Sequence, residues 1–415
     1  MTDRQVMPSL TTFVSSTDGW STPRLIPRPD IPVQAILSWH TFFQHGAETA
    51  PAVTDNGQVI YVTAARIAIA HGLELAGVRP GDKVLVPAYH CAAMVEPVLY
   101  LKAQPVFYAL HEDLSVDLDD IARKIDGKTR VVMAANYFGF PQHLRALREF
   151  CDARGLIFIE DCAHSLFGSH AGQPLGTFGH LAVASLPKFF PVRDGGCLII
   201  GDTMSKVPQL PLRSQGFGSN AVALIDTVED AIALGRLRGL MPLVKLRNAA
   251  KRIVRSVAPG AKTRHGENPA LMRSGQMGGF DPAWRGVRMT AVSRLICCGA
   301  SRTRIVENRR RNYKRLAQEF SDLPRCRPLF PELPSGVVPY MFPLWIDHLT
   351  EIFATLEDRA VPMQRFGQFP WAAMDKRTCI VAEQLSRHLI QLPCHQDLTD
   401  EEISEVIDRV RTVAA

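Results

Sequence analysis

Short apolar runs alternate with helix-period stretches through the first half of the chain. Val84 to Val86, Pro105 to Tyr108, Val131 to Ala135 and Ile157 to Glu160 read as strands. Between them lie helical patterns at Ala92 to Leu101, Leu118 to Ile125 and His143 to Ala153. Continuous apolar strands spaced by helices predict βαβ units and a parallel sheet covered on both faces. Leu181 to Ser185 and Cys197 to Ile200 add two further strands. Ahead of them, Thr63 is placed to N-cap a helix through Ile67, Ala70, Leu73 and Ala76 that stops at Gly77. The expected class is α/β, mainly parallel, with a smaller C-terminal α+β domain.

The pattern divides the chain. Residues 1–57 are rich in Pro, Ser, Thr and Asp and read as an N-terminal arm with one short helix near Val33 to Gln44. Residues 58–285 form a large domain whose last part, about 203–285, reads as a helical insertion. Residues 286–415 form a small domain, opened by one long helix from Met289 to Phe320. It carries a strand at Tyr340 to Ile346 and ends on a helix that Thr399 and Glu402 start with capping-box spacing.

Composition changes little in that picture. The 415 residues carry 47 Lys+Arg and 41 Asp+Glu, too weak a surplus to imply nucleic acid. No apolar run is long enough for a membrane span, and no secretory leader is read at the start, so the expectation is a cytoplasmic protein. Nine irregularly spaced cysteines and scattered histidines predict neither disulfides nor a metal site. The surplus charge is local, however. Arg236, Arg238, Lys245, Arg247, Lys251, Arg252, Arg255, Lys262 and Arg264 fall in a stretch without an acid, and the other 38 basic and 41 acidic residues carry −3. Leu243, Leu246, Ala250, Ile253 and Val257 give that stretch an apolar helical stripe. It either packs on the body with its charges solvated or receives an anionic surface or carrier over 236–264. A second cluster, Arg309 to Arg311 with Lys314 and Arg315, reads as a solvated helix face.

Three features carry candidate chemistry. Asp161 follows a strand, where ligands bind in open α/β sheets, and either caps the next loop or holds a cationic ring nitrogen. Lys188 lies 27 residues further on, in Ser185-Leu186-Pro187-Lys188-Phe189-Phe190, and no other lysine occurs between Lys128 and Lys206. An apolar setting makes such an amine a nucleophile; the alternative is a surface lysine. The small residues at Thr63-Ala64-Ala65-Arg66 leave helix N-terminal amides for an anion. Together they meet the needs of a pyridoxal phosphate (PLP) site.

Here the chain resembles the DegT/DnrJ/StrS aminotransferases, PLP enzymes of fold type I, over roughly 60–202 and 286–410. The carrying segments are Arg79-Pro80-Gly81-Asp82-Lys83-Val84, residues 95–107 and Tyr137-Phe138-Gly139-Phe140-Pro141. They continue with Ile159-Glu160-Asp161-Cys162-Ala163-His164-Ser165, Arg288-Met289 and Leu392-Pro393-Cys394-His395. The resemblance implies a homodimer that moves an amino group from an amino acid such as glutamate to a keto or aldehyde acceptor, among them keto-sugar nucleotides. It makes Lys188 the Schiff-base lysine and proton shuttle, and Asp161 the partner of the pyridine nitrogen. His164 would bond the phenolic oxygen, with Ser185, Ala65 and Arg66 as the phosphate cradle. Cys91 stands where the family stacks an aromatic ring, so His90 or Tyr89 takes that part; Asn136 replaces a common histidine, and the resemblance puts His90, Cys91 and Asn136 among the cofactor-binding residues, while Gly286 beside Arg285 replaces a common asparagine. Two alternatives stay open: a PLP enzyme of another reaction type on a carrier-bound or amino-acid substrate, or a non-catalytic regulatory member.

Overall fold

The structure is a computed structural model; it describes residues 29–43, 50–202, 210–242, 244, 279–368, 374 and 378–414. The expected βαβ alternation is present. β1 (Gln58–Val62) enters α1 (Ala65–Leu75), followed by β2 (Lys83–Pro87), α2 (Ala92–Tyr100), β3 (Gln104–Tyr108) and α3 (Leu118–Lys124). Next come β4 (Thr129–Ala135), α4 (Leu144–Asp152) and β5 (Ile157–Cys162). A small hairpin of β6 (Ser169–His170) and β7 (Gln173–Pro174) precedes β8 (Leu181–Ser185) and β9 (Gly196–Ile200).

Seven strands form one sheet in the order β1-β9-β8-β5-β4-β2-β3. The five from β3 to β8 run parallel, while β9 is antiparallel to β8 and β1 antiparallel to β9. The reversal at β9 has a simple cause: only a short loop, not a crossover helix, joins it to β8, and short loops join antiparallel strands. β1 is absent from the sequence reading, because the run Gln58–Val62 flows into the α1 pattern and its partner β9 lies far along the chain. Central strands are buried on both faces, with Val84, Leu85, Val131, Val132, Phe158 and Ile159 all at 1% exposure or less. Each such side chain contributes about 1.5–3 kcal/mol on burial. Gly72 lets α1 press down on this sheet, with Leu198 Cδ1 3.4 Å and Ile159 Cδ1 3.5 Å from where its Cβ would stand.

Several expectations are corrected. Ala64, not Thr63, is the N-cap of α1, and no side chain caps it. Where a helix is expected near Val33 to Gln44, the arm holds a 3-10 turn at Trp39–Phe42, and a second follows at Val53–Asp55. In the insertion, α5 (Phe217–Ala233) is helical, but the apolar stripe from Leu243 to Val257 lies outside the described residues. Of the basic stretch, Arg236 turns inward, donating to the Asp397 carbonyl at 2.9 Å and to Glu402 at 2.5 Å. The long helix is two: α6 (Ala291–Gly299), capped by Thr290, and α7 (Arg302–Glu319), capped by Ser301. Arg309 on α7 is fully buried rather than solvated.

The small C-terminal part is a three-stranded antiparallel sheet, β10 (Cys326–Pro328), β11 (Met341–Ile346) and β12 (Leu389–Pro393). α8 (Leu349–Asp358), α9 (Ile380–His388) and α10 (Asp400–Ala414) accompany it. The capping box holds: Thr399 N–H donates to Glu402 at 2.9 Å and Glu402 N–H to Thr399 Oγ1 at 3.2 Å. Asp194 ties the two parts together, accepting from Thr290 N–H at 2.7 Å, Thr290 Oγ1 at 2.8 Å and Ser293 Oγ at 2.5 Å. The arm is stitched to the small part: Ile36 N–H donates to Asp397, and the Pro32 carbonyl is 2.9 Å from His395 Nε2. Among the described residues no helix is long and apolar enough to cross a membrane.

Candidate active site

The carboxyl ends of β2, β4, β5 and β8 and the N-terminus of α1 meet at one edge of the sheet. Strand pleating sends successive side chains to opposite faces, and this sorts the candidates at the end of β5. Asp161 points one way and Glu160 the other. Asp161 is 7% exposed and accepts one hydrogen bond, from Ala163 N–H at 2.9 Å. That bond caps the following turn, so the modest role read for this acid is present, yet it occupies only Oδ1. Burial raises the Asp161 pKa, against the pull of Ala163 N–H and of Lys188.

β8 ends at Ser185, and a 3-10 turn, Leu186–Lys188, carries the lysine over the edge of the sheet. Pro187 fixes the start of that turn. Burial is the main reason the Lys188 pKa falls; Cys91 and Asp161 oppose the fall, and Arg66 adds to it. Lys188 thus feels the charges of Cys91, Asp161 and Arg66. The Lys188 Nζ stands 5.3 Å from the centre of the Tyr340 ring.

The anion cradle is built by close approach. Ser185 pairs with Gly196 across β8 and β9. A Cβ on Gly196 would fall 2.2 Å from the Ala64 carbonyl carbon and 2.5 Å from the Ala65 nitrogen, so only glycine lets β9 start against α1. Gly195 N–H donates to the Thr63 carbonyl at 2.7 Å. The Ala64 carbonyl takes the amides of Ile67 and Ala68, which leaves those of Ala65 and Arg66 outside the helix ladder. Thr63 Oγ1 is buried at the same place without a partner among the described residues. The Arg66 guanidinium itself is turned to Glu96 on α2 at 3.3 Å.

His164 lies between Phe138 (ring centres 5.9 Å apart) and Tyr340 (4.8 Å), with Phe366 edge-on at 5.0 Å. Its Nδ1 accepts from Phe138 N–H at 3.4 Å. Burial, and then Lys188, hold its pKa well below the usual imidazole range. A neutral ring accepting at Nδ1 carries its proton on Nε2, which makes it a donor to a ligand.

Two candidates are drawn elsewhere. The Asn136 amide donates to Glu160 at 3.0 Å and to Cys162 Sγ at 3.7 Å, and its oxygen accepts from Gln142 N–H. It serves the Glu160 side of β5. The His90 ring stacks on Phe107 at 4.6 Å and its Nδ1 lies 2.9 Å from the Ala88 carbonyl. Tyr89 instead joins Tyr137, Phe138 and Phe366, with its hydroxyl buried and without a partner among the described residues.

The sequence reading missed Tyr340, Phe366, Arg309 and Gln34, whose amide donates to the Tyr340 hydroxyl at 3.2 Å. The one available signal was Pro339-Tyr340 at the head of an apolar strand.

The residues fit PLP on the structure's own terms. Lys188 has lost proton affinity, Asp161 is a buried acid with Oδ2 unbonded among the described residues, and helix amides lie beside an orphaned hydroxyl.

Comparison with known proteins agrees. The sequence profile of the DegT/DnrJ/EryC1/StrS aminotransferase family matches residues 47–240 and 288–411. A GDP-perosamine synthase of Vibrio cholerae is 33% identical over 153 residues, 36% of this chain and 42% of that protein. The chain thus spans less than half of that relative. A dTDP-4-dehydro-2,3,6-trideoxy-D-glucose 4-aminotransferase of Saccharopolyspora spinosa is 25% identical over 368 residues, 85% of this chain and 84% of that one. The Helicobacter pylori aminotransferase of pseudoaminic acid biosynthesis shares the fold, with a TM-score of 0.62 at 14% identity over 87% of each chain.

Proposed function

Because the chain belongs to the DegT/DnrJ/EryC1/StrS aminotransferase family, we propose that it is a PLP-dependent transaminase. It takes an amino group from an amino acid such as glutamate and delivers it to a keto or aldehyde acceptor. The relatives that act on nucleotide-linked sugars favour a keto-sugar nucleotide as that acceptor. The observation that carries the reading is one half-buried lysine of lowered proton affinity beside one buried, under-bonded aspartate.

When bound, PLP supplies an electron-accepting ring conjugated to a carbonyl that condenses with amines. The chain's residues do the rest. Lys188 presents an amine whose proton affinity burial has lowered, and its Nζ would take up and return the proton during the transfer. Asp161 would offer Oδ2 to a protonated ring nitrogen, whose positive charge would compensate the carboxylate's desolvation. His164 would donate from Nε2 to the phenolic oxygen. The Ala65 and Arg66 amides and Ser185 would hold the phosphate at the head of α1. Tyr340, Tyr89 and Phe366 exclude water.

Phe217 on α5 is 89% exposed and Leu295 on α6 is 70% exposed, with Val222 and Leu224 also exposed. This apolar surface supports a homodimer. We place the enzyme in the cytoplasm. Any anionic surface or carrier contact over 236–264 excludes Arg236, which is engaged internally.

The test is spectroscopic. Glutamate added to the PLP-loaded protein should bleach its visible absorption, and a keto acceptor should restore it. A spectrum indifferent to a panel of amino donors would sink the transaminase reading and favour a non-catalytic family member.

A further inference from the structure

α7 is a charged helix, yet its Arg309 side chain is fully buried. The guanidinium has no carboxylate partner within bonding distance among the described residues. Nε donates to Gln396 Oε1 at 2.9 Å. Nη1 donates to the Pro339 carbonyl at 3.2 Å and the Tyr340 carbonyl at 2.8 Å. Nη2 donates to the Lys188 carbonyl at 2.9 Å, and the group lies 4.5 Å above the centre of the Phe189 ring. The same Gln396 returns its amide to the Phe189 carbonyl at 2.9 Å. Asp397, the neighbouring acid, is already paired with Arg304 at 2.6 Å.

A buried cation compensated by carbonyl dipoles is a costly way to hold a core together. What a planar fork of five donors provides is direction. Here the fork joins two loops from different parts of the chain, the one that carries Lys188 and the one that carries Tyr340, whose ring faces the Lys188 amine.

We propose that Arg309 is a positioning residue for amino transfer: it fixes the Lys188 main chain against Tyr340, so that the Lys188 amine meets its reacting atom at a set height and direction. This rests on the PLP reading above. Arg309 touches neither substrate nor cofactor; it acts through the turn Leu186–Lys188 and the head of β11.

The experiment uses the full chain with four variants. Arg309→Lys keeps the charge and loses the fork, and Arg309→Gln loses both. Gln396→Leu removes one partner and leaves the guanidinium, while Arg310→Ala is the neighbouring control, since among the described residues Arg310 bonds the Pro334 and Val337 carbonyls. For each, the measurements are the melting temperature without cofactor, the pH dependence of PLP attachment to Lys188 by borohydride trapping, and kcat and KM for glutamate. For Arg309→Lys we expect a folded protein, kcat lowered about a hundredfold and KM within about threefold. The midpoint of attachment against pH should be displaced. Gln396→Leu should move the same two quantities the same way, by less, and Arg310→Ala should move neither. An Arg309→Lys protein with the parent's kcat and pH midpoint, or with its loss confined to melting temperature, overturns the proposal. Should neither Arg309 variant fold, Gln396→Leu decides alone by the same criteria. A parent protein that traps no PLP on Lys188 refutes the functional reading itself, which is a different result from a defect confined to the variants.

Discussion

Glu160 and Asp161 are consecutive acids on one strand, both buried, and they do opposite work. Glu160 accepts five hydrogen bonds, from Asn136, Gly176 and Cys162 at Oε1 and from Phe178 and Gly179 at Oε2, all between 2.9 and 3.3 Å. Asp161 accepts one. The first carboxylate is saturated by its own chain and fastens the loop after β7 to the sheet. The second is left short of partners at the edge where Lys188, Cys91 and Arg66 converge. Burial raises the pKa of both, so the shift alone does not separate a structural acid from one that serves a ligand. The count of donors does.

The largest effect that would break this contrast is catalytic. Asp161→Asn should lower transaminase turnover by about a hundredfold or more while leaving the melting temperature of the cofactor-free protein near the parent's. Equal losses in both would mean that Asp161, too, is mainly structural. Glu160→Gln should behave in reverse. An amide nitrogen would then face backbone N–H groups, costing about 3 kcal/mol of stability, visible as a lowered urea midpoint. Protein that still folds should retain turnover, and a stable but inactive Glu160→Gln protein would erase the distinction.

A smaller effect sharpens it. The neutral amine is the form that attacks, and burial lowers the proton affinity of Lys188 below the ordinary 10.5. Its reaction with PLP should therefore quicken as pH rises, with a midpoint below 10.5. Asp161 supports the ammonium form, so Asp161→Asn should move that midpoint further down. A midpoint moving up contradicts that support. The smallest effect is an absence. His164 is held neutral by burial and then by Lys188, so PLP affinity should show no step near pH 6.5 that His164→Gln removes; such a step would show that the ring titrates normally.

Asp161 and Lys188 were legible in the sequence because each follows an apolar strand, and strand ends are where open sheets bind ligands. Gly196 was visible as a glycine but not as the residue that lets β9 touch Ala64. The arm's Gln34 and the ring of Phe366 reach the site from distant segments without any periodic signal. Arg309 misled for a definite reason: charge on a helix usually means solvent, and three of its four acceptors are backbone carbonyls, which every residue possesses and no sequence marks. Asn136 was read as facing the ligand when it belongs to Glu160, because strand polarity beyond the last pleated residue is set by the turn. The break between α6 and α7 was readable in Ser301 as an N-cap, but the apolar period runs on through it.

The central claim is that Lys188 is the residue that takes PLP. The most direct measurement is to incubate the full chain with PLP, reduce with borohydride, digest and map the peptides by mass. The account predicts one phosphopyridoxyl group per chain, on the peptide holding Lys188, and none above background in Lys188→Ala. A group spread over surface lysines, or retained by Lys188→Ala, would contradict it.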